Sequence, residues 1–372
     1  MPPPAPTSSA LPALLESTHH LLARFQSLLL NSSASTASQS QSPESSSTSP
    51  PNPLSVLADA AKLLKAHTTK LGLLLLNKPF TPSAVVKVLS EITGTCLPAM
   101  MGAIELLNTP SGVCWGSCVE KHVKSKVNAV LGAVGELVKD IERVAKGEDA
   151  ARTQKQSDST LASTGQVWST CDALVTISAT SPADIVIKKA EEYRSLLRDA
   201  IDELKEWAEE EDEGYDDEEV SDQDSDVQFG PSKCPTNKPE LRAQVEGAVK
   251  KLKLVEMGYK ALGKRRLKTF PFEDVGRPNG QTDETVKAQA GVKKLDEVMD
   301  LLKRIPEDVD ELAGKFYELD EKGAVVQLQK CCDSAINAVV LVKNGWDDSP
   351  EPGQDRAFAD WVDKWIPLLR SG

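Results

Sequence analysis

The sequence predicts an all-α protein of two antiparallel four- or five-helix bundles joined by a disordered acidic linker. Three observations predict it. Apolar residues recur at alternating steps of four and three along most of the 372 residues. No strand-like alternation bounded by hairpin turns occurs, and aromatic residues make up only 5%. Two stretches break the helical pattern by composition alone, residues 31–53 and the acidic run that follows residue 202.

Taken in order, the first element is an apolar helix over about 11–30. Residues 31–53 then hold ten serines, several prolines and one charge. Such a segment cannot bury enough apolar surface to offset its ordering entropy, so it is expected to be disordered. Helices follow over about 54–77, 82–107, 112–146 and 161–179. The clearest stripe is Val186, Ala190, Tyr193, Leu197, Ala200, Leu204 and Ala208, within a helix over 183–211. Ser181 followed by Pro182 suits its N-cap and first turn. Beyond the acidic run the same stripe returns as Leu241, Val245, Ala248, Leu252, Val255, Tyr259 and Leu262. Two helices, 285–304 and 307–319, come next. A third stripe runs Val325, Leu328, Cys332, Ala335, Val339 and Val342, and a helix over 355–370 closes the chain. The expected domains are a helix with its Ser-rich linker (1–53), a first bundle (54–211), an acidic linker (212–238) and a second bundle (239–372).

The net charge of −13 belongs to one segment. Residues 202–226 hold fifteen Asp and Glu against Lys205 alone, which leaves the remainder close to neutral. A near-neutral body argues against a general nucleic-acid binder, whose footprint is basic. Asp222, Asp224 and Asp226 have the opening spacing of a calcium loop, yet Val227 and Lys233 stand where the turn glycine and the closing Glu are needed. Seven cysteines without a spacing framework suggest reduced thiols inside a cell. The N-terminus lacks the plan of a signal peptide. The longest purely aliphatic run, Leu73 to Leu76, is too short to cross a bilayer.

Catalytic and metal-binding patterns are sparse. Cys114, Cys118 and His122 fall at i, i+4 and i+8, a possible set of soft ligands for zinc. The plainer reading is a bundle face with two small thiols, because no fourth ligand follows. Cys331–Cys332 reads as packing, with only Cys332 on the stripe. Among the four histidines no H-E-x-x-H pattern occurs, and no phosphate-binding glycine loop or nucleophile elbow is present. No enzyme, cofactor or metal is therefore expected.

Lys250, Lys253, Lys260, Lys264, Arg265 and Arg266 form a candidate basic interaction face, with Lys251 and Lys268 beside them. It reads either as a phosphate-contacting or import surface, or as the solvated side of a bundle helix. Ser221, followed at +3 by Asp224, is a candidate phosphosite for an acid-directed kinase.

Four strings occur in order along the chain: "VWSTC" at Val167 to Cys171, the acidic run, "IPEDVDELA" at Ile305 to Ala313, and "WIPLL" at Trp365 to Leu369. By these the chain resembles the cyclin-D-binding family, also called Grap-and-cyclin-D-interacting, over about residues 54–370. The resemblance implies a non-enzymatic protein of talin- and vinculin-like bundles. It also implies binding to cyclins or helix-loop-helix regulators, without sequence-specific DNA binding. A regulator of cell-cycle progression or transcription, in cytoplasm and nucleus and away from membranes, is the expected function; a cytoskeletal adaptor is the alternative.

Overall fold

The computed structural model describes residues 7–31, 52–77, 79–107, 115–146, 154–209, 234–235, 238–272, 283–346 and 354–371. Among these residues the protein is all-α, with no strand. The expected Ser-rich linker and most of the acidic linker, with Ser221, lie outside the described residues. The described helices fall into two compact units, one ending at Ile185 and the other beginning at Val186.

The first unit contains α1 (Thr7–Asn31), α2 (Pro53–Leu76), α3 (Pro82–Glu91), α4 (Leu97–Leu106), α5 (Ser117–Ala145) and α6 (Gln154–Ser178). Helix α1 is not the separate N-terminal piece that the composition break suggested. Leu11, Leu15, Leu22 and Leu29 form one stripe, all buried. The stripe is covered by α5 and α3, and His19 Nε2 lies 3.0 Å from Glu142 Oε1 of α5. Four leucines on one face need a partner surface, and the unit supplies it.

Asn52 caps α2 by accepting the Leu54 amide, and Pro53 opens the first turn. Helix α2 packs closely on α6. At Gly72 an added Cβ would sit 3.1 Å from Thr164 Oγ1, so the glycine sets the approach of the two backbones. Helices α3 and α4 are joined by a π turn, Ile92–Cys96, in which the Leu97 amide donates to the Ile92 carbonyl five residues back. Pro98, in the first turn of α4, explains the widening, because it brings no amide and its ring crowds the carbonyl four residues earlier. The run from Pro82 to Leu106 is apolar and long enough to cross a bilayer. One face of it, through Val85, Leu89, Ile92, Leu97 and Met100, is buried inside the unit.

The second unit contains α7 (Pro182–Glu209), α8 (Pro239–Arg265), α9 (Asp283–Tyr317), α10 (Glu321–Leu341) and α11 (Gln354–Arg370), of which the first residues of α7 fall before its limit. Ser181 caps α7 as expected, accepting the Asp184 amide at 3.1 Å. The side-chain contacts of α7 run to helices beyond the acidic run. Arg194 Nε and Arg198 Nη2 meet Glu256 Oε1 of α8 at 3.1 and 2.7 Å. Trp207 packs edge-on against Tyr317 of α9, ring centroids 5.2 Å apart, and the Tyr317 hydroxyl donates to Glu203 at 3.2 Å. This corrects the expected first bundle of 54–211. The acidic run marks a composition break, but the stripe of α7 is buried with the helices that follow that break, and the units divide near residue 185.

Helix α9 is continuous where two helices, 285–304 and 307–319, were expected. Pro306 lies inside it, and the Tyr259 hydroxyl donates to the Leu302 carbonyl at 2.5 Å. On α10 the expected stripe holds from Cys332 to Val342, but Val325 is 58% exposed. Cys331 is buried together with Cys332, so the adjacent thiols both serve packing. Gln327 Nε2 donates to the Asp308 carbonyl at 3.0 Å and Lys330 reaches Asp308 Oδ1 at 2.8 Å, which clamps α10 to α9. Helix α11 buries Phe358, Val362, Trp365 and Leu369, and the Trp365 indole donates to the Leu254 carbonyl at 2.9 Å.

Candidate interaction surface

Helix α8 presents two different faces because two patterns share its 27 residues. Pro239 and Glu240 suit the first turn, and Lys264 and Arg265 suit the negative end of the helix dipole. The stripe from Leu241 to Leu262 is buried throughout. On the opposite side Lys250, Lys253, Lys260 and Lys264 are exposed. Together with Met257, which is 50% exposed, they follow steps of three, four, three and four. That spacing puts all five on one line about 21 Å long, at about 1.5 Å per residue. Among the described residues none of these four lysines has an ion-pair partner. Glu246, one turn before Lys250, is the acid nearest to the line on the helix itself, and Glu256 is taken by Arg194 and Arg198.

Glu256 is partly buried, which by itself would raise its pKa. Hydrogen bonds and charge from Arg198 and Arg194 outweigh that and hold it below the ordinary carboxylate value. Helix α8 thus keeps Glu256 engaged and these four lysines open. The arrangement offers separate ammonium donors around one apolar contact, which suits an extended or helical anionic segment.

Two expected members of the basic face behave differently. Arg265 is exposed, but its Nη1 donates to the Ala357 carbonyl at 3.2 Å. Arg266 is 3% exposed and leaves the face altogether. Its Nη2 donates to the Lys343 carbonyl at 2.8 Å, its guanidinium lies 4.5 Å from the centre of the Phe358 ring, and its own carbonyl accepts the Trp346 indole at 3.1 Å. Helix α8 ends at Arg265, so Arg266 turns inward where helical spacing would have kept it outside. Sequence spacing also missed Met257 as the apolar centre of the line; its interval from Lys253 and Lys260 was the available signal.

Of the suggested zinc ligands, Cys114 lies outside the described residues. Cys118 and His122 sit one turn apart on α5, both half-buried. The helix starts at Ser117, after Gly116 at φ 91°. Among the described residues no three His, Cys, Asp or Glu side chains are grouped so as to hold a metal ion.

In the first unit Leu161 and Trp168 stand two turns apart on α6, 53% and 36% exposed. Gly165 lies between them with nothing near its missing side chain, which leaves the backbone open. On the far side of α2, buried His67 Nδ1 lies 3.1 Å from Glu91 Oε2, although the pair is not aligned as a hydrogen bond.

Residues 56–210 match the family described as Grap2 and cyclin-D-interacting, N-terminal. The match covers 155 of the 372 residues and shows a likeness to the N-terminal region of that family. The matched segment runs from α2 to the end of α7, so it crosses the division between the two units. An uncharacterised protein of Schizosaccharomyces pombe is 21% identical over 316 residues, which cover 85% of this chain and 83% of the relative. An uncharacterised protein of Saccharomyces cerevisiae is 22% identical over 326 residues, 84% of each chain. No solved structure matches the chain.

Proposed function

We propose that this protein is a non-enzymatic interaction regulator of cell-cycle progression or transcription. In this reading its helices form two antiparallel bundles of the talin and vinculin kind, which bind partner helices through their surfaces. The match of residues 56–210 to the cyclin-D-interacting family carries the reading. Leu161 and Trp168 support it, as an exposed apolar pair on one face of α6 within the matched segment. A partner helix would lay its own apolar stripe along that face, with Trp168 as the anchor of a helix-on-helix contact. Presence in cytoplasm and nucleus, and phosphorylation of Ser221, belong to the same proposal.

Calorimetric titration of the full chain with a purified D-type cyclin tests it. Binding at or tighter than about 1 μM is expected, with at least a tenfold loss, about 1.4 kcal/mol, for Trp168→Ala or Leu161→Asp at unchanged melting temperature. Absence of heat and of complex on gel filtration would overturn the reading. Co-sedimentation with actin filaments in its place would assign the cytoskeletal adaptor.

A further inference from the structure

We infer that the exposed line Lys250, Lys253, Met257, Lys260 and Lys264 is a docking strip for an acidic segment, and that its occupant is this chain's own run 210–226. The inference is independent of the cyclin reading. Three observations converge on it. The four lysines are exposed on one side of α8 and have no ion-pair partner among the described residues. Met257, half exposed at the centre of the line, offers an apolar contact that a purely solvated face does not need. And residues 210–226 carry eleven acids and no base, interrupted by Tyr215 and Val220, which could meet Met257.

Connectivity supplies the rest. The run starts where α7 stops at Glu209, and the chain re-enters α8 at Pro239, so both ends are fixed to the same unit. Seventeen residues can extend to about 55 Å, well over the ~21 Å of the lysine line. A tether this short holds acid and base near millimolar effective concentration. Contacts that are individually weak and screened by salt can then keep the strip largely covered at low ionic strength. The kind of ligand follows directly: an acidic peptide with apolar residues between its carboxylates. A partner with such a segment would have to displace the chain's own.

Lysine acylation followed by mass spectrometry tests this on the full chain. The comparison is with a variant whose eleven acids between 210 and 226 become Asn or Gln. At about 20 mM salt the four lysines should react at least about twofold more slowly in the unaltered chain, and the difference should vanish at about 0.5 M salt. Lys70, exposed in the first unit, should react alike in both. Equal rates at low salt would overturn the inference. So would protection that survives in the neutralised variant, which would assign another cover. Protection that rises between about 1 and about 50 μM protein would assign the occupant to a second copy and overturn the intramolecular claim.

Discussion

The hydroxyl of Tyr259 donates to the carbonyl of Leu302 at 2.5 Å, and Leu302 is the residue four before Pro306. A proline inside a helix deprives the carbonyl four residues earlier of its usual amide donor. Tyr259, 2% exposed on α8, supplies a donor in its place. Its burial raises the phenol pKa, so the group stays protonated and able to donate. One side chain from α8 thereby lets α9 run through Pro306 as a single helix.

Tyr259→Phe should leave that carbonyl buried without its donor and cost about 1–3 kcal/mol in urea unfolding. In a Pro306→Ala background the new amide can take the carbonyl, and the same substitution should cost less than about half as much. Equal losses in both backgrounds would separate the tyrosine from the proline.

Two glycines of α8 should respond in opposite directions to alanine. A Cβ on Gly258 would meet the Trp365 ring at 3.0 Å. That ring is held by its bond to Leu254, so Gly258→Ala should destabilise by about 1–3 kcal/mol. Nothing lies within 4 Å of a Cβ on Gly247, so Gly247→Ala should stabilise by roughly 0.5–1 kcal/mol. Thermal unfolding of both variants decides; a neutral Gly258→Ala would show that α11 yields easily.

Glu256 links stability to pH. Its pKa in the folded chain lies below the ordinary 4.5, because the two arginines outweigh its burial. The ionised form is therefore favoured by folding. Its contribution is present above the unfolded pKa and is lost as the pH falls through the folded one. The stability gap between the unaltered chain and Glu256→Gln should be widest near neutral pH and close below about pH 4. Urea titrations at several pH values measure it, and a gap that widens on acidification would contradict the assignment.

The buried thiols should be slow. Burial pushes Cys96 and Cys332 up to about 11 and Cys171 up to about 12, and it raises Cys331 as well. At pH 8 a shift of two units lowers the thiolate fraction by about a hundredfold. Alkylation of the native protein should spare these four cysteines, and denaturant should expose them. Rapid labelling of Cys331 in native buffer would show that α10 opens.

Helix periodicity makes most of the fold readable in the sequence. The stripes of α7 and α8 are buried as their spacing demanded, with Tyr193 half-buried, because a 3.6-residue period needs no knowledge of the partner. Composition breaks were less faithful guides. A Ser-rich stretch after Asn31 and an acidic run after Glu209 mark where helices stop, yet they say nothing about which helices then pack together; α1 and α7 joined units that the breaks had excluded them from. Pro306 reads as a helix end in the sequence because the rescuing hydroxyl belongs to a residue 47 positions earlier. The lysines of the α8 line were legible as a face. The inward turn of Arg266 was not, since it depends on Phe358 and the Lys343 carbonyl, far away in sequence.

The central structural claim is that α7 is completed by the helices beyond the acidic run. Inserting a protease site after residue 222 of the full chain and cutting it puts that claim to measurement. The two pieces should remain together on gel filtration at micromolar concentration, and Leu197→Asp, at a fully buried position of α7, should release them. Pieces that separate without that substitution, or that stay together despite it, would contradict the division near residue 185.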